Sequence, residues 1–237
     1  MTSAAMEIAP PAITRTCPER EIYERVLELN GAHVLELGCG RAELTRHIAT
    51  HGHHRRVTAL EVDEIQHALN LQTTDLPNVE FTLAGAQAIP VPDGRFDVAL
   101  MFKSLHHVPA DMMVPALREV ARVLKPGGLA YISEPIFAGD LNDILRLFHD
   151  EARVRQAAFE AVRAAVDDGT YELVDEIFFS ARDVQGLRRI PTKGHRRDAH
   201  ATSVDTGRSR RGAGAIHARH DRRGRSIRDA NARRPLT

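Results

Sequence analysis

Val34-Leu35-Glu36-Leu37-Gly38-Cys39-Gly40-Arg41-Ala42-Glu43-Leu44-Thr45 reads as a short apolar strand that runs into a glycine turn and then into the start of a helix. Gly38 and Gly40 let the backbone turn tightly and approach a ligand with no Cβ in the way, and the helix that follows presents unpaired N–H groups in its first turn. That is the outline of a site for a nucleotide-type ligand. The dinucleotide fingerprint G-x-G-x-x-G needs a third small residue where this chain has Glu43, beside a pyrophosphate. Glutamate there repels such a ligand. A ligand with an ammonium group suits the turn better, because Glu36 at the strand end can pair with a cation.

About twenty residues on, Arg56-Val57-Thr58-Ala59-Leu60-Glu61-Val62-Asp63 reads as a second buried strand ending in acid. A carboxylate at that tip can accept two hydrogen bonds from a ribose diol, a role open to Glu61, with a helix cap as the alternative. Asp63 reads as the cap of a helix over Glu64 to Leu71. Further on, the loop Leu83-Ala84-Gly85-Ala86-Gln87-Ala88-Ile89-Pro90-Val91-Pro92-Asp93-Gly94 leads into a strand from Phe96 to Phe102. Leu117 to Leu129 reads as a helix, a tight Pro126-Gly127-Gly128 turn and a fifth strand, Pro-Gly supplying the fixed and the positive φ that such a turn demands.

These four stretches, in this order, resemble the motifs of the class I S-adenosylmethionine-dependent methyltransferases, and the resemblance covers about residues 18 to 180. It implies an α/β, Rossmann-like sheet of strand order 3-2-1-4-5-7-6, S-adenosyl-L-methionine as cofactor, and a cofactor shell of Glu36, Gly38, Cys39, Gly40, Glu61, Val62, Gly85, Ala86 and Phe102. Two departures stand out. Many relatives carry a third glycine where this chain has Ala42, and an aspartate that accepts from the adenine amino group where it has Gly85. Adenine recognition is then expected to rest on backbone near Ala86 and on apolar packing.

The chain has 237 residues, 43% of them hydrophobic, enough for one substantial core and one α/β domain. Two cysteines, one inside the glycine turn, make no disulfide framework, and no apolar run at the N-terminus is long enough for a signal peptide or membrane helix. The expectation is a cytoplasmic protein. Residues 1–17 read as a disordered leader. Pro18 opens an amphipathic helix to about Leu29 with Ile22, Val26 and Leu29 on one face.

The formal net charge of zero hides two unlike segments. Residues 182–237 hold 16 of the chain's 32 Lys and Arg against five Asp and no Glu, so the tail carries +11 and the first 181 residues −11. No Phe, Tyr or Trp follows Phe179. A segment so poor in large apolar residues buries too little surface to offset its chain entropy, and disorder is expected over 182–237. Two readings of it stay open. One is a basic arm for RNA or another polyanion. The other is a slipped reading frame. Strand six is read at Tyr171 to Phe179, no β-rich run follows it, and the fold needs a seventh strand between the fifth and sixth. Codon choice permits a gene in which residues 183–200, shifted forward one base, become an amphipathic helix and a strand-like Val-Ile-Asp-Val. A single lysine, Lys193, among fifteen arginines favours the slipped frame. Strand seven is thus expected to be missing, with an unpaired edge and aggregation as the consequence.

Ligands of open α/β sheets sit beyond the carboxyl ends of the strands, which brings Met101 to His107 and Ser133-Glu134-Pro135 around the acceptor. Methyl transfer from a sulfonium needs little beyond positioning, so a base is optional. His106 is the candidate for one, with a packing or capping role as the alternative. His107 reads as structural, and Glu134 either holds a polar acceptor or pairs with Lys103. His47, His51, His53 and His54 read as a solvated helix end, so no metal is expected. The helical region Gly139 to Val166, apolar at Leu141, Ile144, Leu145 and Phe148, reads as a lid over the acceptor pocket.

The reading is a methyltransferase acting on a small organic acceptor. An RNA methyltransferase using the arginine tail, and a non-catalytic cofactor-binding domain, are its rivals.

Overall fold

Alternation along two central strands decides the layering. Leu35 and Leu37 lie in one apolar cluster with Ala99 and Met101, while Val34 joins Val98 and Leu100 in the other. A strand buried on both faces is covered by helices on both, the usual state of a parallel sheet. The computed structural model describes residues 6–7, 13, 15–135, 151–181 and 212–220. Its elements run β1 (Thr16–Cys17), α1 (Glu19–Val26), β2 (His33–Leu37), α2 (Glu43–Thr50), β3 (Arg56–Glu61), α3 (Glu64–Asn70), β4 (Val79–Leu83) and β5 (Phe96–Phe102). They continue with α4 (Met113–Val123), β6 (Leu124–Pro135), α5 (Ala152–Asp167), β7 (Tyr171–Ala181) and β8 (Gly212–His220).

The sheet order is β1-β7-β8-β6-β5-β2-β3-β4. From β6 to β4 all pairs are parallel, and β8 is antiparallel to both β6 and β7. This is the expected order with one short strand added at the β7 edge. The chain leaves β2 toward β3 on one side and returns to β5 on the other, so the crevice beyond Leu37 and Phe102 is the topological switch point where such sheets bind ligands. The α4 and α5 side of the sheet holds Met113, Leu117, Val120, Ala158 and Val162. The opposite side holds Ile22 and Tyr23 of α1 and Ile48 of α2. Arg55, 5% exposed, makes a two-pronged ion pair with Glu24 at 2.7 Å on each arm and fastens α1 to the sheet.

Several local expectations appear as read. Asp63 caps α3 by accepting from the Gln66 N–H at 2.9 Å. Gly127 takes φ +78 in the Pro-Gly-Gly turn, and the excursion shows as a register shift between Phe96 and Val98 against Leu124 and Leu129.

Three expectations need correction. The missing seventh strand is present: Gly212–His220 lies between β6 and β7 and pairs with both, so the sheet unit extends past residue 181. A scan for β-branched and aromatic residues passes over Gly-Ala-Gly-Ala-Ile-His-Ala-Arg-His, but a strand between two others is held by main-chain pairing on both sides rather than by propensity. The leader is not unstructured throughout, since Thr16 and Cys17 pair with Ser180 and Ala181. Helix α1 stops at Val26, with Leu27 extended, although Leu27 and Leu29 stay buried. The readings of residues 182–211 and 221–237 as a basic arm or a slipped frame, and of 139–150 as the first part of a lid, lie outside the described residues. Helix α5, the rest of that region, packs on α4 and on the 3-10 turn Leu105–His107.

Candidate functional site

The glycine turn is fixed from below by the neighbouring strand. Gly38 and Cys39 both donate their N–H to the Leu60 carbonyl at 2.9 Å, and Gly40 donates to Glu61 Oε2 at 2.7 Å. Asn70, at the end of α3 and 4% exposed, donates to the Gly40 carbonyl at 2.8 Å. Gly38 has φ +74, and a Cβ there would stand 2.8 Å from the Ser104 Cβ, so only glycine fits. Ser104 in turn donates to the Leu37 carbonyl at 2.8 Å, closing the crevice floor between β2 and β5. Gly40 has φ +52, and the space its Cβ would take is open, which leaves the turn approachable from above. Ala42 also sits in the left-handed region, at φ 58.

The acids take different roles. Glu36 is 2% exposed and accepts from the Thr45 hydroxyl at 2.6 Å. Burial pushes its carboxyl up to about 7, and the Thr45 hydrogen bond pulls in the opposite direction. It is poised to ionise when a cation arrives. Glu61, at the tip of β3, accepts from Gly40 and, through Oε1, from the N–H groups of Val62 at 2.8 Å and Asp63 at 3.0 Å. Three of roughly four acceptor positions of a carboxylate are thus in use. One ribose hydroxyl can add to Glu61, and a second would have to displace an N–H.

The other expected shell residues spread around this centre. Val62 is 65% exposed beside Glu61, an apolar surface open to a flat ring. The Ala84 N–H donates to the Glu61 carbonyl at 3.1 Å, which holds Gly85 and the buried Ala86 next to it. Cys39 is buried, its thiol pushed up to about 12 by burial, so it is an inert wall of the turn. The ring of Phe102 packs at 5.3 Å from Tyr23 and 5.7 Å from Tyr131, on the α1 side.

Across the crevice, β5 and β6 run in parallel register with Phe102 opposite Ser133, so the segments beyond them lie side by side. His106, 6% exposed, faces Glu134 through Nδ1, in contact with Glu134 Oε2, while Glu134 Oε1 accepts from the Leu105 N–H at 3.0 Å. Lys103 does not pair with Glu134. Its Nζ reaches Glu19 Oε2 at 2.7 Å, and its backbone, at φ 54, is held by an N–H bond to the Ser133 carbonyl at 2.7 Å. Strain at a non-glycine residue that is over-determined in this way is common at functional rims. Among the described residues no group of three or more His, Cys, Asp or Glu side chains is placed to hold a metal ion, and His47 stacks on His51 at 4.7 Å.

A family model for the methyltransferase domain matches residues 34–128. The O-methyltransferase rstn1 of Aspergillus nomiae is 30% identical over 189 residues, which are 77% of this chain and 80% of that protein. The chain belongs to the class I S-adenosylmethionine-dependent methyltransferases. The 27-O-demethylrifamycin SV methyltransferase of Amycolatopsis mediterranei is 36% identical over 104 residues, 41% of this chain and 36% of that one. This relative and others, among them the O-methyltransferase resE of Aspergillus sclerotiorum, are spanned by the chain over less than half their length. A SAM-dependent methyltransferase from Methanosarcina mazei shares the fold, with a TM-score of 0.59 at 18% identity over 84% of this chain and 97% of that chain.

The cofactor of this methyltransferase is S-adenosylmethionine, and the residues present fit it. The turn is open above Gly40, a buried acid that ionises near neutrality lies at Glu36, and a carboxylate with spare acceptor capacity lies at Glu61. The comparisons lend no support to the RNA or the non-catalytic reading. Sequence reasoning missed Asn70, which fastens the glycine turn. Asn70 gives no signal beyond a polar residue at a helix end. Glu134 is legible as a residue near the acceptor, but only the register of β5 against β6 brings it to His106.

Proposed function

We propose that the chain methylates a hydroxyl of a small organic acceptor, with His106 as the base that takes the hydroxyl proton and Glu134 as the residue that positions His106. The contact between His106 Nδ1 and Glu134 carries the reading. A carboxylate at Nδ1 keeps the proton on that nitrogen and leaves Nε2 as the acceptor. Glu134 is itself anchored by the Leu105 N–H, so ring and carboxylate move as one unit at the end of two adjacent strands.

S-adenosylmethionine supplies a methyl group on a sulfonium, which an in-line nucleophile can take. The task left to this chain is to bring a hydroxyl oxygen into line and accept its proton. The crevice between Ser104 and Glu134 is where the fold offers both, and Lys103, held by Glu19 and Ser133, fixes the backbone before the base. Oxygen as the acceptor atom is supported by the relatives named for O-methylation, from Aspergillus nomiae and Amycolatopsis mediterranei. A cytoplasmic setting is supported by free, buried Cys17 and Cys39. No helix among the described residues is long and apolar enough to cross a membrane.

The test is a screen of phenols and other hydroxyl compounds with the wild type, followed by His106→Ala and Glu134→Gln on the best acceptor. His106→Ala should lower methyl transfer by about 10²- to 10⁴-fold with the affinity for S-adenosylhomocysteine unchanged. Glu134→Gln should lower transfer less, in kcat rather than in the acceptor KM, because the ring keeps its base nitrogen but loses the carboxylate that orients it. Full turnover by His106→Ala would remove the base from the account.

A further inference from the structure

The adenine end of the site lacks the carboxylate that relatives carry at the position of Gly85, and the structure shows what stands there. Gly85 is not in the left-handed region, and a Cβ built on it would lie 2.6 Å from Gln87 Oε1 and 3.0 Å from Gln87 Cδ and Nε2. The side-chain amide of Gln87 therefore fills the place that a side chain at residue 85 would take. The turn makes this possible: the Ala88 N–H donates to the Gly85 carbonyl at 3.2 Å, folding residue 87 back over residue 85. The bond from the Ala84 N–H to the Glu61 carbonyl ties the start of this loop to the tip of β3, next to the exposed Val62. Gln87 is exposed, and among the described residues its amide has no hydrogen-bond partner.

We propose that Gln87 reads the adenine edge of the cofactor in place of the absent carboxylate at residue 85. The inference rests on the cofactor assignment. A carboxamide sets an acceptor beside a donor, and adenine sets its amino donor beside a ring-nitrogen acceptor, the match by which glutamine recognises adenine elsewhere. The chemistry differs from that of a carboxylate in one measurable way. A carboxylate only accepts, so it rejects hypoxanthine, whose O6 is an acceptor. An amide can turn over and donate to O6 while accepting from N1–H. The site built on Gln87 therefore tolerates an inosine cofactor that a site built on aspartate excludes.

Calorimetric titrations with S-adenosylhomocysteine and S-inosylhomocysteine test this on the wild type, Gln87→Ala, and the double variant Gly85→Asp/Gln87→Ala. Loss of a neutral two-bond contact should weaken adenosyl binding in Gln87→Ala by about tenfold, with the melting temperature unchanged because the side chain is exposed. The wild type should bind the two ligands within about threefold of each other, and the double variant should regain adenosyl binding and discriminate against inosyl by more than about tenfold. Unchanged adenosyl affinity in folded Gln87→Ala overturns the role of Gln87 while leaving the cofactor assignment standing. A wild type that binds neither ligand overturns both.

Discussion

Glu61 Oε2 accepts the Gly40 N–H at 2.7 Å, so the tip of β3 and the glycine turn after β2 form one hydrogen-bonded unit. The same carboxylate accepts from Val62 and Asp63, and a single side chain thereby holds both the turn and the start of the α3 cap in place. The open face of the unit lies at the switch point between β2 and β5, beside the crevice wall that carries His106 and Glu134.

The turn tolerates change very unevenly. Gly38→Ala places a methyl 2.8 Å from the Ser104 Cβ at φ +74, and should cost more than about 2 kcal/mol in thermal or denaturant unfolding. Ala42 already holds φ 58, so Ala42→Gly trades strain relief of about 1–2 kcal/mol against chain entropy and a lost buried methyl, and should fall within about 1 kcal/mol of the wild type. Ala42→Val, β-branched in the left-handed region, should be clearly destabilised.

Glu36 makes stability depend on pH in an uncommon direction. Its folded value, pushed up to about 7 by burial, lies above the ordinary 4.5, so the proton stabilises the fold. The contribution is whole below pH 4.5, declines as pH rises to about 7 and is constant beyond, a span of about 3 kcal/mol. Thermal melts of the wild type should fall across this window, and those of Glu36→Gln should fall less. If the cofactor ammonium pairs with Glu36, binding S-adenosylhomocysteine at pH 7 should release about half a proton, seen as a dependence of binding heat on the ionisation enthalpy of the buffer.

Removal of residues 182–237 takes away β8 and leaves β6 and β7 with facing, unpaired edges. Such edges recruit other chains. Size-exclusion chromatography should show the truncated protein as aggregate where the full chain is not, and a well-behaved truncation with an unchanged melting temperature would show that β8 contributes nothing.

What the sequence discloses depends on whether the cause is local. Strands β2 and β3 are legible because their buried runs end at glycine or acid, and the Asp63 cap is legible because capping involves a span of three residues. The ordered cofactor motifs have the same quality, since a turn's geometry is written into Gly38 and Gly40 themselves. Pairings across the fold are not local. His106 and Glu134 lie 28 residues apart, and their contact follows from the register of Phe102 on Ser133. β8 is held by its neighbours rather than by its Gly- and Ala-rich composition, and Gln87 becomes informative only once its amide is seen over Gly85.

The most direct test of the account is a calorimetric titration of the full chain with S-adenosylhomocysteine, run in parallel on Glu61→Ala. Saturable micromolar binding is expected of the wild type, with an affinity lower by roughly tenfold or more in the variant, as removal of a charge-assisted hydroxyl contact and of the anchor of Gly40 requires. Equal affinity in the two proteins would show that the cofactor does not sit on the unit formed by Glu61 and Gly40.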